Sequence, residues 1–236
     1  MTFEALYPDL CSLYGEAANL RYLARCCPEA RVISTTGQSA PAFLREPVDL
    51  VYLGAMSERC QELALERLMP HRAAIREKIE AGLTVLATGN ALELFGREIW
   101  EGERRIPALD IFPYSARRDM RHRHNSMFLG RFRDMDVVGY KSQFSKAEIF
   151  QPFLTVTGGF GTDLQGKEEG VHYKNFYGTY LLGPFLVLNP PFTRYLLESL
   201  GWHGSLAFER EAMEAYQYRL AGLQTPGVNF LVGEHG

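Results

Sequence analysis

Long apolar runs are missing from this 236-residue chain. A membrane-spanning helix needs about 20 consecutive apolar residues, and no stretch approaches that length. The N-terminus, Met1-Thr2-Phe3-Glu4, lacks a basic region followed by an apolar segment. These absences predict a cytoplasmic protein with no membrane contact. Cysteine is scarce too: Cys11, Cys26, Cys27 and Cys60 all fall in the first 60 residues, and the adjacent pair lacks the spacing of a zinc or redox motif. They read as reduced thiols, mostly packing residues. An excess of one charge is also absent, since 25 Lys and Arg against 28 Asp and Glu leave a net charge of -3, which gives no electrostatic footprint for nucleic acid.

What the chain has is apolar mass. At 46% hydrophobic and 12% aromatic it can bury a sizeable core, and it reads as a single domain over residues 1–236. Apolar, β-branched runs at 3–7, 30–35, 48–54 and 83–87 alternate with helical stretches at 16–27 and 58–82, the second broken at Pro70. That alternation is the signature of a mostly parallel, doubly wound α/β sheet with helices on both faces. Strands at 111–114, 127–132, 137–142, 154–156 and 171–182 read as an antiparallel extension of the same sheet. Helices at 191–200 and 206–221 close the chain.

Ligands of such sheets sit beyond the carboxyl ends of the strands. Two segments lie there, Gly54-Ala55-Met56-Ser57 and Thr88-Gly89-Asn90. The second is the tip of a strand, turn and helix over residues 83–96, the shape that elsewhere presents a nucleophile to acyl chemistry. Here the tip offers only Thr88, Gly89 and Asn90, and Thr88 has no base beside it in the sequence. Cys60 falls in the first turn of a helix, where a thiol is activated, although a small packing thiol is the commoner outcome. His172 and His203 are isolated and read as surface or capping residues. His122-Arg123-His124 alternates as a strand edge does but lacks a third metal ligand, so neither a metal nor a cofactor is predicted. The arginine-rich run at 117–133 suits a phosphate or an acidic partner, or else an ordinary charged edge strand.

Several stretches together resemble a known family: Tyr7-Pro8-Asp9-Leu10 with Tyr14-Gly15, residues 86–96, Val138-Gly139-Tyr140, and Gly178-Thr179-Tyr180-Leu181-Leu182-Gly183-Pro184. In order and spacing, from about residue 5 to about residue 200, they resemble class I glutamine amidotransferases of the cobyric acid synthase (CobB/CobQ) type, which are flavodoxin-like. Within that family the likeness is greatest to amidotransferase subunits of lipid II isoglutaminyl synthase. The resemblance implies a Mur-ligase-like or other ATP-dependent ligase as partner, in cell-wall or cobalamin-type amidation. It also implies a glutamine pocket, with candidates Gly54, Gln61, Thr88, Gly89, Asn90, Glu93, Lys141 and Gln143.

The chemistry of the resemblance is not retained. Gly89 stands where the family has its cysteine nucleophile, and Leu182 where it has the histidine base. Glu93 replaces the glutamine-binding Gln, Lys141 a carboxylate and Gln143 an imidazole. Two readings follow: a non-hydrolytic binding or regulatory subunit, with or without a small molecule in the old pocket, and an active glutamine amidotransferase working with displaced residues. The first predicts a preserved elbow with Gly89 at positive φ, Glu93 and Lys141 facing each other to close the pocket, and a docking face around Arg121 and Arg123.

Overall fold

The structure, a computed structural model, describes residues 1–232. In chain order the first half comprises β1 (Thr2–Leu6), α1 (Ala18–Cys26), β2 (Arg31–Thr35), β3 (Leu50–Leu53), α2 (Glu58–Leu68), α3 (Arg72–Glu80) and β4 (Thr84–Thr88). All four residues of β3 are buried, with Leu50 and Tyr52 in one core and Val51 and Leu53 in the other. β4 divides in the same way, Val85 and Ala87 against Leu86. Strands covered on both faces need such unbroken apolar runs. Leu65, Leu68, Ile75 and Ile79 of α2 and α3 fill the first core, while Leu20 and Leu23 of α1 fill the second. Pro70 sits in a 3-10 turn, Met69–His71, that separates α2 from α3 as its ring requires.

The second half holds β5 (Glu98–Glu101), β6 (Arg104–Pro107), β7 (Ser115–Arg118), β8 (His124–Phe132), β9 (Met135–Gln143), β10 (Ser145–Ala147), β11 (Leu154–Gly158), β12 (Glu168–Glu169), β13 (Val171–Tyr173), β14 (Phe176–Thr179) and β15 (Leu181–Leu182). α4 (Phe185–Leu188), α5 (Pro190–Ser199) and α6 (Glu209–Leu223) follow. The central sheet runs β13-β14-β4-β3-β1-β2, parallel except for β13 against β14.

The other strands do not extend that sheet as the sequence suggested. They form two more, β10-β7-β5-β6 and β12-β11-β8-β9-β15. The expected strand at 171–182 is the reason. The chain leaves one sheet for another at Gly170, where φ is 73, and again at Tyr180, so three short strands serve two sheets. The expected strand at 111–114 is a loop instead: Asp110 has φ 50, and Phe112 and Tyr114 turn inward to the first core, leaving β7 to begin at Ser115.

Candidate functional site

β4 ends at Thr88, and the next residues form a 3-10 turn, Gly89–Phe95, rather than the expected α-helix. Gly89 has φ 62 and is buried at the tip, a conformation glycine adopts freely. The elbow is thus present, but space for a side chain at its tip is not. A Cβ at Gly89 would lie 2.6 Å from the Ala55 Cβ and 2.9 Å from the Leu182 Cδ2. The neighbouring strand end is stapled to the elbow: Met56 N donates to Asn90 Oδ1 at 3.0 Å, and Asn90 Nδ2 donates to Met56 O at 2.8 Å. The Met56 backbone amide beside the tip is therefore already engaged.

A crevice of about 120 Å³ remains in front of the tip. Gly89, Asn90, Glu93 and Gln143 line it, together with Arg123 and Leu182. Gln61, Thr88 and Lys141 are buried outside its lining, and Gly54 lines an apolar groove beside α1. Tyr14, also at positive φ, lines the crevice and donates to Ser142 Oγ at 3.2 Å. Gln143 is 5% exposed, gives its Nε2 to Ser145 O at 2.6 Å, and has no partner for Oε1 among the described residues.

Glu93 and Lys141 do not face each other. Glu93 accepts from Gln61 Nε2 at 3.0 Å and from the Tyr180 hydroxyl at 3.1 Å, while Lys141 Nζ pairs with Glu169 at 2.6 Å and donates to Gly161 O at 2.7 Å. Tyr180 stands between them, with Lys141 Nζ 5.8 Å from its ring centre. A lysine in full burial takes the nearest carboxylate that desolvates with it, and that is Glu169. Burial, opposed by the Gln61 bond and the charge of Arg118, raises the Glu93 carboxyl above its usual range.

Glu16, which in the sequence reads only as an ordinary acid at the start of a helix, proves central. Its buried carboxylate accepts from Thr88 Oγ1, the Tyr52 hydroxyl and Gly183 N, the last at 2.8 Å. Thr88, at the N-cap position of the 3-10 turn, is accordingly buried and spends its hydroxyl on Glu16 rather than on a cap bond. Desolvation raises the Glu16 carboxyl too, against those three bonds.

The remaining candidates disperse. Cys60 lies at the start of α2 as expected and lines none of the crevice. Cys11 is buried, and desolvation pushes its thiol up. His172 is not a surface residue; it stacks on Tyr177 with ring centres 4.8 Å apart, and burial lowers its basicity. Among the described residues no cluster suits a metal ion.

The arginines of 117–133 form no single face. Arg118 is buried on Glu101 and Gln61, Arg123 stacks on Phe144 with 4.3 Å to the ring centre, and Arg131 and Arg133 sit at the far end of the β8–β9 hairpin, on Asp136 and Tyr195. Arg121 contributes its backbone N–H to Asp119.

A profile of the CobB/CobQ-like glutamine amidotransferase domain matches residues 4–190. The chain belongs to that family. Two curated relatives carry the description lipid II isoglutaminyl synthase (glutamine-hydrolyzing) subunit GatD. The Staphylococcus aureus protein is 28% identical over 220 residues, covering 91% of this chain and 90% of its own. The Streptococcus pneumoniae protein is 26% identical over 197 residues, covering 78% and 74%. Among solved structures, one glutamine amidotransferase superposes with TM-score 0.53 at 17% identity, over 84% of this chain and 99% of its own. A second, from Thermotoga maritima, gives 0.51 at 11% identity over 94% and 93%. At those identities the likeness is one of fold, and it bears out the α/β amidotransferase architecture. No helix among the described residues is long and apolar enough to cross a membrane.

Proposed function

We propose that this CobB/CobQ-like protein is a GatD-like subunit that no longer hydrolyses glutamine and serves a ligase of the Mur type, in lipid II amidation, by binding or regulation. The observation that carries the reading is the filled space at Gly89. A thiol there would need a Cβ where Ala55 and Leu182 already are, and Leu182, in the position of the base, carries no proton. No cysteine or histidine lines the crevice among the described residues, which weighs against an active enzyme with displaced groups. The resemblance to the two GatD proteins supports the pathway and the partner class.

The expected outcome is an absence of ammonia release when the purified chain is incubated with glutamine, alone or with a Mur-ligase-like protein from the same cell. Glutamine-dependent release above buffer, blocked by diazo-oxonorleucine, would refute the non-hydrolytic reading. Removing nucleophile and base together costs about a millionfold in triad enzymes, so even slow turnover is informative. Failure of the two proteins to co-purify would remove the ligase.

A further inference from the structure

Beside the crevice, and sharing Arg123 and Phe144 with it, lies a second cavity of about 460 Å³. Its polar lining includes Arg117, Arg123, Lys146, His122, His124 and Asn125. Arg117 in β7 and Lys146 in β10 are direct cross-strand partners, so both side chains stand on one face of the sheet. Like charges in that relation repel. Among the described residues no carboxylate pairs with Arg117, Arg123 or Lys146. Asp119, the acid in the lining, is taken by His122 Nδ1 at 2.7 Å and by the Arg121 N–H.

Two of the cations are held by aromatic faces instead. Arg117 lies 5.9 Å from the Trp100 ring centre and Arg123 lies 4.3 Å from that of Phe144, an arrangement that fixes a guanidinium without neutralising it. His124 adds no charge to the lining. Burial first, and then the charges of Lys141 and Lys146, push its imidazole down to about 4, so it stands neutral there and offers a hydrogen bond rather than another charge.

We propose that this cavity binds a small diphosphate-bearing anion, its oxygens bridging Arg117 and Lys146 and reaching Arg123. An anion between the two cross-strand cations turns their repulsion into attraction, and forked guanidinium donors match phosphate oxygens. The volume exceeds that of bare diphosphate, and Phe144 and Leu164 give the attached group an apolar wall.

The test is calorimetric titration of the full chain, at constant ionic strength, with sodium pyrophosphate in one arm and adenosine diphosphate, as a diphosphate ester, in the other. Saturable binding of either with Kd near or below about 0.1 mM, lost at least about tenfold in Arg117→Gln, is expected. Tighter binding of the ester assigns the site to an esterified ligand, and equal binding to the free anion. Citrate binding as tightly, or oligonucleotides binding with an affinity that grows with length, overturns the assignment, as does no saturable heat in either arm.

Lys146→Glu supplies an independent readout. Opposing Arg117 with a carboxylate should raise the Tm of the ligand-free chain by about 1–2 °C while abolishing diphosphate binding. Diphosphate affinity that survives this charge reversal overturns the proposal.

Discussion

Glu93 is a carboxyl in full burial, held between two donors. Its folded-state pKa is raised, with desolvation the leading cause. A carboxyl raised in this way binds its proton more tightly in the folded chain than in the unfolded one. Its contribution to stability is fully present below the ordinary value of 4.5 and is lost as pH rises through the folded-state value. Glu93→Gln removes that titration, and the amide can still accept from Gln61 and donate to the Tyr180 oxygen. The variant's stability relative to wild type should therefore improve as pH is raised from about 5 to about 8. Urea denaturation across that range measures it, and a difference independent of pH would contradict the account. The same logic applies to Glu16, with more at stake, because its three donors come from β3, β4 and the turn before α4.

Among the elements, the C-terminal segment after α6 does work that its composition conceals. β11 pairs with β8 only as far as Gly158 and Leu129, beyond an irregularity at Val156. The remaining edge of β8 is then taken by the chain's own end: Met127 N donates to Phe230 O at 2.7 Å, and Val232 N to Asn125 O at 3.1 Å. Phe230 fits over Gly158 so closely that a Cβ there would lie 2.2 Å from its ring. Truncation after Thr225 should open amides 125–129 to hydrogen exchange and lower stability by about 1–3 kcal/mol; unchanged protection of Met127 would show that the strap is dispensable. Nothing in the sequence foretold this, since a lone bridge at Leu231 has no period to read. The parallel strands were legible for the opposite reason: β3 and β4 are buried on both faces and could only be apolar throughout. The elbow at Gly89 was legible from its turn chemistry. The routes of Lys141 to Glu169 and of Glu16 to Thr88 were not, because each joins residues that only the fold brings together.

At the scale of the whole molecule, the question is what couples the central sheet to the five-stranded sheet beside it. Lys141 in β9 is bonded to Glu169 in β12, and Glu169 in turn accepts from Thr179 Oγ1 at 3.0 Å and Tyr180 N at 2.8 Å, where β14 ends. Phe160 O and Gly161 O, in the loop after β11, complete the shell around Nζ. Both side chains of the pair are wholly inaccessible to water, so the pair contributes little net stability over an apolar replacement, yet removing one member strands the other. Lys141→Met should cost about 3–5 kcal/mol, which for a chain of this size lowers Tm by on the order of 10 °C. Glu169→Gln added to it keeps an acceptor for Thr179 and Tyr180 and removes the stranded charge, and should recover at least about half of the loss. If residues 1–236 unfold as one domain, wild type gives a single calorimetric transition. Lys141→Met should then broaden or split that transition, because the lost contacts lie at the junction of the sheets rather than within either. Additive losses in the double variant, or a single variant as stable as wild type, would show that the junction is held by the surrounding aromatic core alone.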